Sequence, residues 1–247
     1  DADTGEILHA TNEETRNYPA SLTKMMTLYM IFDRLERKRW SLSTKLKVSR
    51  SAARQPASKL GLRAGSTITV KQAILALVTK SANDVATSVA ENISGRERNF
   101  ALKMTAKARS LGMSKTTFRN ASGLPHRAQM STAKDMSILA RALLRDFPKY
   151  YHYFSTKSFR YKGVKYRTHN KLLKSYPGAD GFKTGYIRAS GFNLVASAKR
   201  KGRRIIGVVF GGRSSKQRNR HMAKLLDKGF ARIFKKTGAP LIAKATP

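Results

Sequence analysis

A chain of 247 residues with 40% apolar content is long enough for one large domain, or for one domain with a lobe inserted in it. The absence of cysteine excludes disulfides and thiol chemistry, and no apolar run approaches the roughly 20 residues of a membrane span. Fifty Lys and Arg against 14 Asp and Glu give a net charge of +36, a field that attracts polyanions. The bases, however, fall in short dispersed clusters (Arg37-Lys38-Arg39, Lys199-Arg200-Lys201, Arg203-Arg204), without zinc spacing or a nucleic-acid signature.

No signal peptide opens the chain. Asp3-Thr4-Gly5 reads as a turn followed by a short strand over residues 6–10, and a chain starting in a turn is expected to have lost upstream sequence. Pro19 suits the first turn of a helix. Residues 22–32 are apolar on nearly every face, which predicts a buried helix. At its start stand Ser21 and Lys24, three apart and so on one face, where a lysine amine can take a proton from a serine hydroxyl. Residues 41–70 are polar and turn-rich. A stripe of Ile74, Leu77, Val78, Val85 and Val89 follows, interrupted at residues 80–84, where two helices are expected to meet. Residues 97–111 predict another helix, with Phe100, Met104 and Leu111 inward. The loop at 120–126 leads to a helix capped by Ser131 or Thr132, with Asp135 close to a capping-box position.

From about residue 157 the period changes to two. A hairpin is predicted around Gly163, then strands at 181–186, 192–198 and 204–210. The basic and aromatic residues interleaved over 159–167 fit a surface hairpin or a binding ribbon. A helix over 215–234 places Met222, Leu225, Leu226, Phe230 and Ile233 on one face. The layout is α+β: one domain over 1–236, a helical lobe at roughly 41–156 inserted in it, and a loose tail over 237–247.

Two motifs occur twice, and each second copy has a structural explanation. Ser131-x-x-Lys134 opens a helix. Lys236-Thr237-Gly238 closes one, with Gly238 as a left-handed cap and Pro240 beyond. The earlier Lys183-Thr184-Gly185 lies on a strand, where an ammonium and a hydroxyl can face an anion and Gly185 admits another backbone. Ser81-x-Asn83 occurs once.

Ser21-x-x-Lys24, Ser81-x-Asn83 and Lys183-Thr184-Gly185, in that order, are the motif set of penicillin-binding proteins and class A β-lactamases. Four longer segments narrow this: Pro19-Ala-Ser-Leu-Thr-Lys-Met-Met-Thr, Asn120-Ala-Ser-Gly-Leu-Pro, Pro177-Gly-Ala-Asp-Gly-Phe-Lys-Thr-Gly-Tyr and Gly191-Phe-Asn-Leu-Val-Ala-Ser-Ala. From Asp3 to about Phe234 the chain resembles the low-molecular-mass penicillin-binding proteins, the D-alanyl-D-alanine carboxypeptidases of serine peptidase family S11. It departs from their pattern in Lys80 where a small residue is expected and in Ile187 where threonine is common, and it is expected to lack the family's first strand and C-terminal β-rich domain.

The resemblance implies a serine β-lactamase/transpeptidase-like fold, with a mostly antiparallel sheet flanked by helices and an inserted all-helical lobe. It implies that Ser21 attacks the carbonyl between the terminal D-alanines of a peptidoglycan stem peptide, with Lys24 as base and Lys183 as the cation that lowers the Lys24 pKa. Ser81 would relay the proton, and Asn83 would hold the substrate amide or Lys24 itself. Backbone N–H groups of Ser21 and Tyr186 would form the oxyanion hole. Substrate would lie along the strand at 183–186, its carboxylate met by Lys183, Thr184 and Arg218. β-Lactam antibiotics would be covalent inhibitors, and the protein would be exported to the periplasm or cell envelope. Neither metal nor cofactor is implied, and the five histidines show no ligand spacing.

Two rival functions differ in a readable way. A class A β-lactamase needs a deacylating glutamate between the second and third motifs, and the only glutamates after Asn83 are Glu91 and Glu97, in the helical continuation. A non-enzymatic binder of anionic envelope polymers rests on the charge alone. Specific nucleic-acid binding is not expected.

Overall fold

The computed structural model describes residues 1–237. A 3-10 turn, Ala20–Thr23, leads into helix α1, Lys24–Glu36, in which every residue from Lys24 to Phe32 except Met30 is buried. The all-apolar stretch is therefore the central helix of the core. Around it pack α3 (Val70–Thr79), α4 (Asn83–Ser94), α5 (Glu97–Ser110) and α6 (Ala133–Asp146), with the short α2 (Arg50–Ala53) beside them. The turn-rich stretch at 41–70 also carries a small antiparallel pair, β1 (Lys45–Lys47) and β2 (Thr67–Thr69). Thr69 and Gln72 form a reciprocal capping box that starts α3.

The expected hairpin forms as β3 (Ser158–Tyr161) and β4 (Val164–Arg167), followed by the short helix α7 (Leu172–Ser175). The main sheet is antiparallel, in the order β5 (Ala179–Ile187), β6 (Gly191–Arg200), β7 (Arg203–Gly212). Alternation along β6 divides the core in two. Val195 faces the α1 side, while Leu194, Ala196 and Ala198 face α8 (Ser215–Thr237) and its Met222, Leu226, Phe230 and Ile233. The sheet is thus the middle layer between α1 and α8.

One expected element is corrected. Residues 6–10 do not form a strand. A strand needs a backbone partner, and the outer edge of β7 lies across a cleft of about 510 Å³ that residues 5–13 line from the other side. The segment is tied to α8 instead: Arg232 Nη1 donates to the Leu8 carbonyl at 2.8 Å, and Lys236 pairs with Glu6 at 2.6 Å. The Gly238 cap, Pro240 and the tail lie outside the described residues.

The break between α3 and α4 falls where the stripe is interrupted. Ser81 takes a positive φ of 60° and Asn83 begins the new helix. Asp84 holds the facing loop: its buried carboxylate accepts the N–H groups of Leu60, Gly61 and Leu62 at 2.8 to 3.1 Å. Asp84→Ala should cost roughly 3 kcal/mol or more, because it orphans buried donors, and Asp84→Asn, which keeps one acceptor oxygen, should cost less. Urea unfolding of the three proteins measures this, and an unchanged midpoint in Asp84→Ala would refute the anchoring role.

Candidate active site

Three elements converge on one cleft of about 530 Å³, lined by Ser21, Ser58, Ser81, Asn83, the 122–125 loop, His169, residues 184–187 and Arg218. The 3-10 turn supplies Ser21, and the first residue of α1 supplies Lys24. Lys24 is fully buried, and its Nζ donates to Ser21 Oγ at 3.1 Å, Asn83 Oδ1 at 2.8 Å and the Ser122 carbonyl at 2.5 Å. Burial, then the nearby Lys183 cation, hold the Lys24 pKa well below the usual lysine range, against the weaker pull of Asp84 and Glu97.

The α3–α4 break supplies Ser81 and Asn83. Ser81 Oγ is buried without a hydrogen-bond partner among the described residues. Asn83 accepts from Lys24 through Oδ1 and donates Nδ2 to the Pro56 carbonyl at 2.9 Å. Lys80 caps the end of α3 with its ammonium 5.7 Å from the Tyr166 ring centroid, and this contact with the hairpin accommodates the large side chain at that position.

Strand β5 supplies Lys183, Thr184, Gly185 and Tyr186. It approaches the turn carrying Ser21 so closely that a Cβ on Gly185 would lie 2.9 Å from the Pro19 carbonyl oxygen and 3.2 Å from Ser21 N. Lys183 is buried, with Nζ donating to the Thr184 carbonyl at 2.9 Å. Desolvation, then the Arg218 cation, bring its pKa down to about 7. Arg218 is not one more exposed base: it is 3% exposed, donates Nη1 to the Asn193 carbonyl at 3.1 Å, and its pKa falls to about 10 on burial. Tyr186 is exposed on the rim, with its ring against Phe192, centroids 4.3 Å apart.

The sequence had assigned no site role to the 120–124 loop. Gly123, at φ 86°, presses on the turn carrying Ser21, where a Cβ would collide with the Ala20 carbonyl. Asn120 Oδ1 accepts from Gly123 N at 2.7 Å. An Asn-x-x-Gly turn is legible in sequence, but what it packs against is not. His169 was likewise set aside. It lines the cleft, and burial, then Lys183, Lys80 and Lys24, bring its pKa to about 4.

The second Ser-x-x-Lys makes no such pair. Ser131 is buried and hydrogen-bonded to Thr116 Oγ1 at 2.8 Å, Thr132 caps α6, and Lys134 pairs at the surface with Glu14 at 2.7 Å.

The known proteins most informative for this geometry share its fold. D-alanyl-D-alanine carboxypeptidase DacF of Bacillus subtilis (strain 168) is 38% identical over 234 residues, 93% of this chain and 60% of that protein. DacD of Escherichia coli (strain K12) is 35% identical over 233 residues, 92% and 60% respectively. The chain thus spans about three-fifths of the length of these curated relatives. Penicillin binding protein 5 from Haemophilus influenzae superposes with a TM-score of 0.90 at 36% identity, over 94% of this chain and 69% of that one. Penicillin-Binding Protein D2 from Listeria monocytogenes, solved in its ampicillin-bound form, gives 0.83 at 31% identity, covering 93% of both chains. The family model described as D-alanyl-D-alanine carboxypeptidase matches residues 1–214, and the chain belongs to that family, peptidase S11.

Proposed function

We propose that the protein is a penicillin-sensitive serine D,D-carboxypeptidase that removes the terminal D-alanine from peptidoglycan stem peptides through an acyl-enzyme on Ser21. The observation that carries this reading is the buried Lys24 amine, 3.1 Å from Ser21 Oγ and depressed by burial and by Lys183. Three donated hydrogen bonds suit an ammonium. The dry site and the second cation favour loss of that proton, and the neutral amine can then take the Ser21 proton. Ser81 Oγ passes a proton to the leaving amine, a role supported by its being buried without a hydrogen-bond partner among the described residues. The Ser21 and Tyr186 N–H groups act as the oxyanion hole, which the close approach of Gly185 to Ser21 N supports. The substrate lies along β5, its carboxylate facing Lys183, Thr184 and Arg218.

We take residues 1–236 as one domain with 41–156 as its lobe. One core cluster runs from Leu22 through the lobe to Phe182 and Val195 on the sheet, and supports this. No helix among the described residues is long and apolar enough to cross a membrane. The periplasm or cell envelope follows from the substrate.

Fluorescent penicillin should label Ser21 alone. The adduct should vanish in Ser21→Ala and persist in Ser131→Ala. A stem peptide ending in D-Ala-D-Ala should release D-alanine in repeated turnovers, while the penicilloyl ester lasts for minutes, because its tethered ring blocks water. Stopped-flow acylation followed by decay of the label reads both steps. Rapid penicillin turnover without D-alanine release would make the protein a β-lactamase.

A buried, protonated Lys183 costs stability. Its folded pKa of about 7 lies below the ordinary 10.5, so the unfolded chain holds more protons between those values and stability rises with pH across that window. Lys183→Met should therefore melt higher than the parent at pH 6, with the gap shrinking toward pH 10.5. Equal gaps at pH 6 and pH 10 would contradict this.

The charge supports a second partner class, anionic envelope polymers held by salt-sensitive attraction. Retention on immobilised polyphosphate at low salt should be lost near about 0.5 M. Retention that survives such salt and selects a DNA sequence would point to nucleic acid instead.

A further inference from the structure

Glu97 opens α5 and has no place in the mechanism above, yet the loop that holds Lys24 is tied to it. Its carboxylate accepts the Ala121 N–H at 2.9 Å and faces the Thr87 hydroxyl at 3.3 and 3.4 Å. The carbonyl of the same residue, Ala121, accepts from Thr27 Oγ1 on α1 at 2.7 Å. The next carbonyl, that of Ser122, receives the Lys24 ammonium, and the residue after that, Gly123, abuts Ala20 and Ser21. A residue clamped at both its N–H and its C=O cannot slide, so the position of the neighbouring Ser122 oxygen is set from α5 and α1 together.

We propose that Glu97 is a positioning residue for the base Lys24: it fixes the 121–123 loop so that the Ser122 carbonyl meets the amine, and its negative charge tunes how readily that amine is protonated. Both partners of its carboxylate are donors, which suits the ionised form. Burial raises its pKa, with the N–H of Ala121 and the hydroxyl of Thr87 opposing. The groups facing the pair are few. Lys183 on β5 lowers the Lys24 pKa, Asp84 on α4 and Glu97 on α5 raise it, and Glu91 on α4 repels the Glu97 charge. His169, with a pKa near 4, is uncharged at neutral pH. Glu97 thus acts on catalysis from a helix that contributes no atom to the cleft lining.

The inference rests on Ser21 being acylated with Lys24 as base, and the test separates the two. Acylation by fluorescent penicillin is followed from pH 5 to 10 in the parent, Glu97→Gln and Glu97→Ala, with thermal melts alongside. The acid limb reports protonation of Lys24. Removing the Glu97 anion lowers that pKa, so Glu97→Gln should move the limb to lower pH. Glu97→Ala, which also orphans the Ala121 N–H, should lower the plateau rate tenfold or more, and Gln should restore most of that loss. Should Glu97→Ala not fold, the limb of Glu97→Gln decides alone. An unmoved limb in Glu97→Gln, or a parent plateau in a folded Glu97→Ala, overturns the inference. A parent that penicillin never acylates takes down the catalytic reading and this inference with it.

Discussion

The candidate cleft depends on one buried amine. Lys24 has no solvent to stabilise its charge, and the three acceptors around Nζ come from three separate parts of the chain: the turn carrying Ser21, the α3–α4 break and the 120–124 loop. Each must be held in place for the ammonium to be tolerated at all. Each is also held by further contacts of its own: Asn83 by Pro56 and Ser58, the 121–123 loop by Thr27 and Glu97, and the turn carrying Ser21 by the press of Gly123 and Gly185.

That arrangement keeps two lysines close together in a dry site, which is unfavourable for folding and useful for acid–base chemistry. Lys24 and Lys183 are both fully buried, and repulsion from Lys183 adds to the desolvation of Lys24. Arg218, buried and hydrogen-bonded to the Asn193 carbonyl of β6, does the same to Lys183. An anion bound beside these cations would relieve a repulsion already present.

The distribution of acids explains why so much positive charge stays unneutralised at the surface. Several of the 14 carboxylates are engaged inside the fold. Asp84 holds the 60–62 loop, Asp135 takes the Thr116 hydroxyl and the Lys115 N–H, and Glu97 takes Ala121. Asp180 bridges Tyr151 and Arg204, while the exposed Asp227 pairs with Tyr176 and Arg200 at the surface. Between residues 147 and 236 Asp180 and Asp227 are the only acids, so α8, the β3–β4 hairpin and the β6–β7 turn present bases almost unopposed.

The sequence by itself determined the central helix, the break at 80–84, the three strands of the sheet and the amphipathic final helix. Those features are written in local periodicity and capping chemistry, which a single segment carries alone. It also marked Ser21, Lys24, Ser81, Asn83 and Lys183, because their order and spacing match a known family. What it misjudged was residues 6–10, expected as a short strand after a turn, because strand formation depends on a partner edge at the right distance. Only the tertiary structure decided that Arg218 is buried, that the Ser122 carbonyl meets the Lys24 amine, and that Gly123 presses on the turn carrying Ser21. Each of these depends on a contact between segments distant in the chain, and local pattern holds no information about which backbone carbonyl will face a buried amine.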